Sequence, residues 1–135
     1  MATYKSKLEK INGKWCEENG AEFYYEPKEG KIDWIEPASK HTYTPDFWLK
    51  KKDGGWIIIE TKGIWDYDDR FKHACIKKLY PELDIRFVFT RSATKTSKGA
   101  KQSYADVCEG RGRGIFRGLT WQYASKKIPQ AWFKE

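Results

Sequence analysis

The stretch HTYTPDFWLKKKDGGWIIIETKG, residues His41–Gly63, decides the fold. An aromatic and β-branched segment leads into a turn rich in Asp and Gly, and the apolar run 56–59 follows it, a pattern typical of a β-hairpin. The second strand continues without a break into Glu60-Thr61-Lys62. Because residues two apart on a strand share a face, a strand apolar enough to be buried ends in a carboxylate and an ammonium on one side.

The length of the hairpin turn decides whether Asp46, on the first strand, joins this face. A two-residue turn at Asp53-Gly54 would place Asp46 on the face away from Glu60. A three-residue loop, Lys52-Asp53-Gly54, with Gly54 at positive φ, sets Asp46 directly opposite Glu60. Glycine at the third position favours the three-residue loop, and we expect Asp46 to lie across from Glu60.

Two carboxylates side by side repel each other, and burying them without a cation is costly. Oxygen ligands of this kind suit Mg²⁺. The alternative is structural, because Glu-x-Lys is common on strands and is often a solvated surface pair. The apolar run before Glu60 and the Pro-Asp of the companion strand favour a covered pair that has a chemical role.

The chain is basic, with 26 Lys and Arg against 19 Asp and Glu and a net charge of +7. A field of this sign favours polyanionic partners, nucleic acid ahead of a membrane surface, although many small proteins are basic for solubility alone. The three cysteines are far apart in the sequence, which indicates neither a disulfide framework nor a zinc site.

The length and the apolar pattern predict one soluble domain. A chain of 135 residues is long enough for a single core but short for two. The start MATYKSKLEK has no apolar segment of a secretory signal, and no run approaches the roughly 20 apolar residues that span a bilayer. We therefore expect a cytoplasmic protein with no membrane partner.

Helices and strands alternate along the chain. The spacing of apolar residues predicts a helix from about Lys7 to Asn19, capped by Ser6, and a second helix within DYDDRFKHACIKKLYPEL. The second helix carries Phe71, Cys75 and Leu79 on one stripe. Strands are predicted in AEFYYEP, KIDWIEP and DIRFVFT, a short helix in SYADVCEG, and a mobile or ligand-bound stretch in RGRGIFRG.

Longer strings resemble a known family. Pro45-Asp46, thirteen residues and then Glu60-Thr61-Lys62 resemble the Pro-Asp…Asp/Glu-x-Lys signature of restriction-endonuclease-like nucleases. IEPASKHTYTPDF, ETKGIWDYDDRFKH, YPELDIRFVF and IPQAWFKE resemble, in this order, segments of the bacteriophage endonuclease I family of Holliday-junction resolvases. Together with SKLEK near the start, the resemblance covers nearly the whole chain.

This resemblance implies an α/β (α+β) fold, a restriction-endonuclease-like mixed β-sheet flanked by helices. It also implies that residues 1–135 form a single nuclease domain in a domain-swapped homodimer. Residues 1–37 would be exchanged between chains, and residues 38–135 would form the catalytic core. The turn-forming sequence Pro27-Lys28-Glu29-Gly30 leaves the alternative that the chain turns back and keeps its first helix.

The family's catalytic residues match positions of this chain. The resemblance makes Asp46 and Glu60 metal ligands, Lys62 the catalytic lysine, and Glu9 the helix glutamate that contacts a second metal. The expected cofactor is Mg²⁺, with Mn²⁺ as a substitute, at two ions per active site. A local alternative exists for Glu9, because Ser6-x-x-Glu9 is also a capping box.

Several residues are candidates for contacts with DNA phosphates. Basic loop side chains beside glycines can approach a nucleic-acid backbone closely, but they can also be solvated cations, and a lone His beside a strand is often a packing residue. The candidates are His41, Lys95, Lys98, Lys101, Arg111, Arg113 and Arg117.

By this resemblance, the expected function is a metal-dependent, structure-selective DNA endonuclease. It would cleave branched DNA, chiefly four-way junctions, and leave a 5′-phosphate and a 3′-hydroxyl. Two alternatives stay open. One is a related nuclease with a sequence-specific or mismatch target, and the other is a non-catalytic, basic DNA-binding protein.

Overall fold

The structure, a computed structural model, describes residues 3–36 and 39–135. Its helices are α1 (Lys7–Glu18), α2 (Tyr67–Leu79) and α3 (Tyr104–Cys108). Its strands are β1 (Phe23–Tyr25), β2 (Ile32–Glu36), β3 (Ser39–Tyr43), β4 (Phe47–Lys50), β5 (Trp56–Lys62), β6 (Ile85–Phe89), β7 (Glu109–Arg111), β8 (Arg117–Thr120) and β9 (Tyr123–Ser125). Within the described ranges, no helix is both long and apolar enough to cross a membrane.

A five-stranded mixed sheet, ordered β1-β4-β5-β6-β9, forms the centre of the molecule. β4 runs antiparallel to β1 and β5, whereas β5, β6 and β9 run parallel to one another. The carboxyl ends of the three parallel strands therefore meet at one edge of the sheet, together with the start of β4. We call this the catalytic edge, because it carries residues that the resemblance makes catalytic. The predicted mixed sheet flanked by helices is confirmed.

The three-residue loop in the β4–β5 hairpin is also confirmed. Phe47 pairs with Ile59 at one end of the ladder, and the Lys51 N–H donates to the Gly55 carbonyl at 2.8 Å beside the turn. Gly54 has the positive φ, 91°, that such a loop requires. This register brings Asp46, which precedes Phe47, level with Glu60.

Each face of the sheet carries its own apolar core. Strand alternation directs Ile58 and Phe87 toward the core beneath α2, and Ile57 and Ile59 toward the core beneath α1. β6 is buried along its whole length, as expected for a strand with Ile85, Phe87 and Phe89 on one face and Val88 on the other. The catalytic edge is thus held between two packed layers.

The first helix begins and ends close to its predicted positions. Its buried face is narrow and consists of Glu9, Asn12, Gly13 and Cys16. Glycine within a helix costs about 1 kcal/mol relative to alanine. At Gly13 an added Cβ would lie 2.1 Å from the Tyr4 ring, so close packing requires a glycine there.

The second helix is present as predicted, but its apolar stripe is wrong. Its buried residues are Arg70, His73, Ala74 and Ile76. Leu79 is 45% exposed, and Phe71 and Cys75 are only half-buried. Arg70 can occupy the inner face because its guanidinium donates to the Trp65 carbonyl at 2.5 Å, and His73 does so because its ring packs against Tyr43 and Phe87. The apolar pattern alone therefore predicted the wrong buried face for α2.

The Gly/Arg-rich stretch forms regular structure, which contradicts the mobile alternative for this segment and leaves the ligand-bound alternative a prediction. β7 and β8 pair as an antiparallel ribbon, joined through a single 3-10 turn at Gly114–Phe116. Phe116 is buried, and its ring lies edge-on to Tyr67 with centroids 5.8 Å apart. The glycines of this stretch serve turns, and one anchored aromatic ring fixes the ribbon to α2.

Candidate active site

Asp46 and Glu60 lie side by side at the catalytic edge. The Asp46 N–H donates to Glu60 Oε1 at 3.0 Å. Asp46 Oδ2 accepts from both the N–H and the hydroxyl of Thr61, each at 2.9 Å. Glu60 is only 2% exposed. The structure therefore places Asp46 and Glu60 next to each other, with Glu60 held by the Asp46 backbone and the Asp46 carboxylate held by Thr61.

Burial and mutual repulsion disfavour the charged forms of this pair. Burial, followed by the charge of Glu60, raises the pKa of Asp46 to about 8. Burial also raises the pKa of Glu60, although Lys62 and the Tyr43 hydroxyl act in the opposite direction. A divalent cation would compensate such a pair and favour its fully ionised form.

Lys62 lies between Glu60 and Asp69, an acid that the sequence did not single out. Its Nζ is 2.7 Å from Asp69 Oδ2 and 3.4 Å from Glu60 Oε2. Burial alone would lower the pKa of Lys62, but the charges of Glu60 and Asp69 raise it above the ordinary value. Lys62 is thus an oriented ammonium. Asp69 escaped notice because acids are common in the first turn of any helix.

Glu60 is also positioned from β3. The Tyr43 hydroxyl donates to Glu60 Oε1 at 2.6 Å. The Tyr43 ring packs edge-on against His73, with ring centroids 5.1 Å apart. Burial lowers the pKa of His73 well below its ordinary value, so this imidazole is neutral. His73 therefore supports the site by packing.

Glu9 reaches the same edge from α1. Ser6 caps the helix by accepting from the Glu9 N–H at 3.1 Å. The Glu9 carboxylate does not complete a capping box, because its Oε2 accepts from the Tyr25 hydroxyl at 3.0 Å. Glu9, Glu26 and Asp46 each offer one carboxylate oxygen, and these three oxygens lie within 4.8 Å of one another. Such a group could hold a metal ion.

Glu26 is the member of this group that sequence reasoning missed. Its N–H donates to the Asp46 carbonyl at 3.0 Å, because β1 pairs with β4. Its φ is 44°, a left-handed conformation that costs roughly 1 kcal/mol or more for a residue with a Cβ. Lys5 pairs with the Glu26 carboxylate at 3.1 Å. Identifying Glu26 from the sequence would have required knowing that β1 pairs with β4, and no local pattern specifies that pairing.

The loop after β6 carries the predicted cations Lys95, Lys98 and Lys101, which are all exposed. This loop leaves from the catalytic edge, where the Thr90 N–H donates to the Lys62 carbonyl at 3.0 Å. Lys101 shares a cleft of about 370 Å³ with Arg113 of the β7–β8 ribbon. Arg113 and Arg117 are exposed as well. Cations from two segments thus adjoin, on a loop that starts at the catalytic edge.

The two other predicted DNA contacts have partners within the chain. Arg111 pairs with Asp106 at 2.6 Å and with Glu109 at 2.9 Å. The His41 ring stacks on Trp34, with ring centroids 4.3 Å apart. Arg111 is therefore the most neutralised of the predicted arginines, and the geometry of His41 agrees with the packing alternative.

Replacing Asp46 by Asn should stabilise the metal-free protein, and increasingly so as the pH rises. Because the pKa of Asp46 is about 8 in the folded chain, the folded state keeps a proton that the unfolded state releases near pH 4. Asp46 therefore lowers the stability of the folded state progressively as the pH rises from about 4 to about 8. We expect a Tm equal to that of the parent near pH 4 and clearly higher at pH 8, where the difference in unfolding free energy reaches up to about 5 kcal/mol at about 1.4 kcal/mol per pKa unit.

Thermal unfolding in EDTA from pH 4 to pH 9 measures this gap. Asparagine keeps an oxygen that can accept from the Thr61 N–H and hydroxyl, so the backbone contact survives. Asp53→Asn, in the exposed hairpin loop, is the matched control and should show no such trend. A gap for Asp46→Asn that stays constant with pH would contradict the proposed electrostatic strain.

Comparison with known proteins covers the whole chain. A family model described as Phage endonuclease I matches residues 1–135. The chain is 44% identical to Endonuclease I of Escherichia phage T7 over 135 residues, which are 100% of this chain and 81% of that protein. It is also 44% identical to Endodeoxyribonuclease 1 of Enterobacteria phage T3 over 132 residues, 98% of this chain and 78% of that protein.

Proposed function

Because this chain belongs to the phage endonuclease I family, we propose that it is a metal-dependent endonuclease that cuts branched DNA, chiefly four-way (Holliday) junctions. The chain is an endodeoxyribonuclease, like the relatives that it matches over its length. The observation that carries the proposal is the buried Asp46–Glu60 pair with Lys62 beside it. A protein that only binds DNA has no need of a strained carboxylate pair at a basic edge.

The donor set fits a hard divalent cation. The candidate ligands are carboxylate oxygens, which Mg²⁺ prefers and Mn²⁺ accepts. We propose that Asp46 and Glu60 hold one ion and that Glu9, with Glu26 and Asp46, holds a second. When bound, these ions supply neutralisation of the scissile phosphate and a coordinated water of lowered pKa.

The protein's own groups hold this arrangement in place. Thr61 fixes the Asp46 carboxylate, and Tyr43 fixes that of Glu60. Lys62 carries its positive charge at the edge where the phosphate would lie, and it would offset charge that develops there and orient the attacking water. If the site works as the family resemblance implies, hydrolysis of a phosphodiester would leave a 5′-phosphate and a 3′-hydroxyl.

The exposed cations beside the site are the proposed grip on the DNA backbone. Lys95, Lys98, Lys101 and Arg113 lie near the catalytic edge, and phosphate contacts of this kind add affinity without reading sequence. Arg117 belongs to the same ribbon. We give Arg111 and His41 a lesser part, because both are engaged within the chain.

A comparison of junction with linear DNA tests the proposal. The protein is incubated with Mg²⁺ and a labelled four-way junction, and in parallel with a linear duplex of the same arm sequences. We expect cleavage of the junction at a rate on the order of 100-fold above that of the duplex, and none in EDTA. Equal cleavage of both substrates would favour a sequence-specific enzyme. Preference for a mismatched duplex would favour a mismatch-directed enzyme.

We further propose a homodimer in which residues 1–37 are exchanged. In the single chain, α1 lies on its own sheet, where the Trp15 Nε1–H donates to the Ile128 carbonyl at 2.8 Å. β2 and β3 form an antiparallel ribbon in which Ile32 faces Tyr43. If this ribbon opened into one long strand, the same pairs could form between two chains across a two-fold axis. Each active site would then take Glu9 from the partner.

A further inference from the structure

The outer face of α1 carries a row of lysines that no role described above uses. Lys7, Lys10 and Lys14 are exposed, and with Ser6 and Ile11 they line a shallow groove of about 510 Å³. We call these three residues the α1 lysine stripe. They lie on the side of the helix away from its buried residues, so packing does not explain them.

The stripe lacks acidic partners. Other lysines of the chain have them, since Lys5 pairs with Glu26 and Lys72 with Asp69. Throughout the described ranges, no carboxylate lies within ion-pair distance of a stripe lysine. Its three charges are therefore available to a ligand.

The stripe also opposes the helix on which it lies. A helix favours acids at its N-terminus and bases at its C-terminus, and α2 follows this rule with Asp68 and Asp69 in its first turn and Lys77 and Lys78 in its last. In α1 only Glu9 of the first turn follows this rule, because Lys7 is the first residue of the helix and the last turn has no base. The exposed acids Glu17 and Glu18 lie at the C-terminal end instead. These lysines thus do not serve the stability of the helix.

Two more exposed lysines lie in the segment that packs under the buried face of α1. Asn12 donates to the Lys126 carbonyl at 3.3 Å and accepts from the Ile128 N–H at 3.0 Å, which joins α1 to the segment after β9. Lys126 and Lys127 are exposed. The Lys126 N–H donates to the Phe89 carbonyl at the end of β6 at 2.7 Å, which places this residue at the catalytic edge.

We propose that the α1 lysine stripe, with Lys126 as a separate contact at the catalytic edge, binds the phosphate backbone of a duplex arm next to the cleaved strand. Glu9, whose carboxylate faces Asp46, lies on the same helix and fixes the stripe relative to the site. From Lys7 to Lys14 the helix rises about 10 Å, which spans roughly three phosphates of one strand. The proposal names a DNA-contacting surface for the proposed nuclease and rests on that function.

Neutralising the stripe should weaken binding of DNA of any sequence. The variant Lys7→Gln, Lys10→Gln, Lys14→Gln is titrated with a four-way junction and with linear duplex, in Ca²⁺ and in EDTA, over a range of salt concentrations. We expect affinity for both DNAs to fall about tenfold or more, and the slope of log affinity against log salt to shrink by about 2 to 3. Its Tm should not fall, because the lysines oppose the helix dipole.

The matched control removes three exposed lysines elsewhere, as Lys52→Gln, Lys78→Gln, Lys134→Gln. It lowers the net charge equally, but its salt slope should stay near that of the parent. Equal slopes for the two variants would overturn the proposal. Unchanged DNA affinity with lost binding to phosphatidylserine vesicles would assign the stripe to a lipid surface instead.

The linear duplex separates this proposal from the proposed function. The protein could lack junction-selective cleavage while the stripe variant still shows a smaller salt dependence of duplex binding. That result would support the stripe proposal and refute only the junction activity. A junction-selective enzyme with an unaltered salt slope would refute only the stripe.

Discussion

Replacing Glu60 by Gln should reduce Mg²⁺-dependent junction cleavage by about 1000-fold or more, while junction affinity changes by less than about threefold. Glutamine keeps an oxygen for the Tyr43 hydroxyl and the Asp46 N–H, so the fold around it survives. It removes the charge that a metal ion needs. Lys62→Ala should give the same pattern, because it removes the oriented ammonium beside Glu60.

Single-turnover cleavage of a labelled junction, with binding measured separately in Ca²⁺, checks both variants. Lys72→Ala is the matched control, because Lys72 also pairs with Asp69, at 3.2 Å, but does not contact Glu60. It should cleave within a few-fold of the parent. Near-normal rates for Glu60→Gln or Lys62→Ala would remove the proposed site.

Mixing two inactive chains should restore activity if α1 is exchanged. Glu9→Ala and Glu60→Ala each remove one acid of the proposed site, so either homodimer should be inactive. In an exchanged heterodimer one site carries both substitutions and the other carries neither. Co-refolding the two chains should therefore return nicking of a junction from background to about half of the parental activity per heterodimer, since one of two sites is intact.

An unexchanged protein gives the opposite result. Each site would then keep one substitution, and the mixture would stay as inactive as the parents. Differently sized tags on the two chains establish that heterodimers formed. Absence of nicking in confirmed heterodimers would place Glu9 in the site of its own chain.

Local patterns were sufficient to predict much of this site. The caps of α1 and α2 depend on neighbouring residues, and both helices lie where they were expected. The pairing of Asp46 with Glu60 followed from the number of residues in one turn. Loop length and side-chain periodicity are local properties, so they can be read from one sequence.

The residues that were missed depend on contacts between distant segments. Glu26 meets Asp46 only because β1 pairs with β4, and Asp69 meets Lys62 only because α2 packs over the end of β5. The prediction for Leu79 was wrong for a related reason. The interior accepts hydrogen bonds from a polar side chain of α2, and the apolar Leu79 side chain stays outside. Tertiary partners, rather than the residues' own properties, gave these positions their roles.

The β4–β5 hairpin also sets a rule for how this gene can change length. Its loop, Lys52–Gly54, is exposed, so Lys52 and Asp53 can vary while Gly54 keeps its positive φ. One residue added within a strand is different, because it would shift that strand by half of its side-chain repeat and turn Asp46 away from Glu60. Two added residues, one on each strand, would lengthen the hairpin and keep both acids opposite each other. Insertions and deletions within the strands should therefore persist in even numbers, whereas the loop can also change by one residue, because hairpin loops of two to five residues occur.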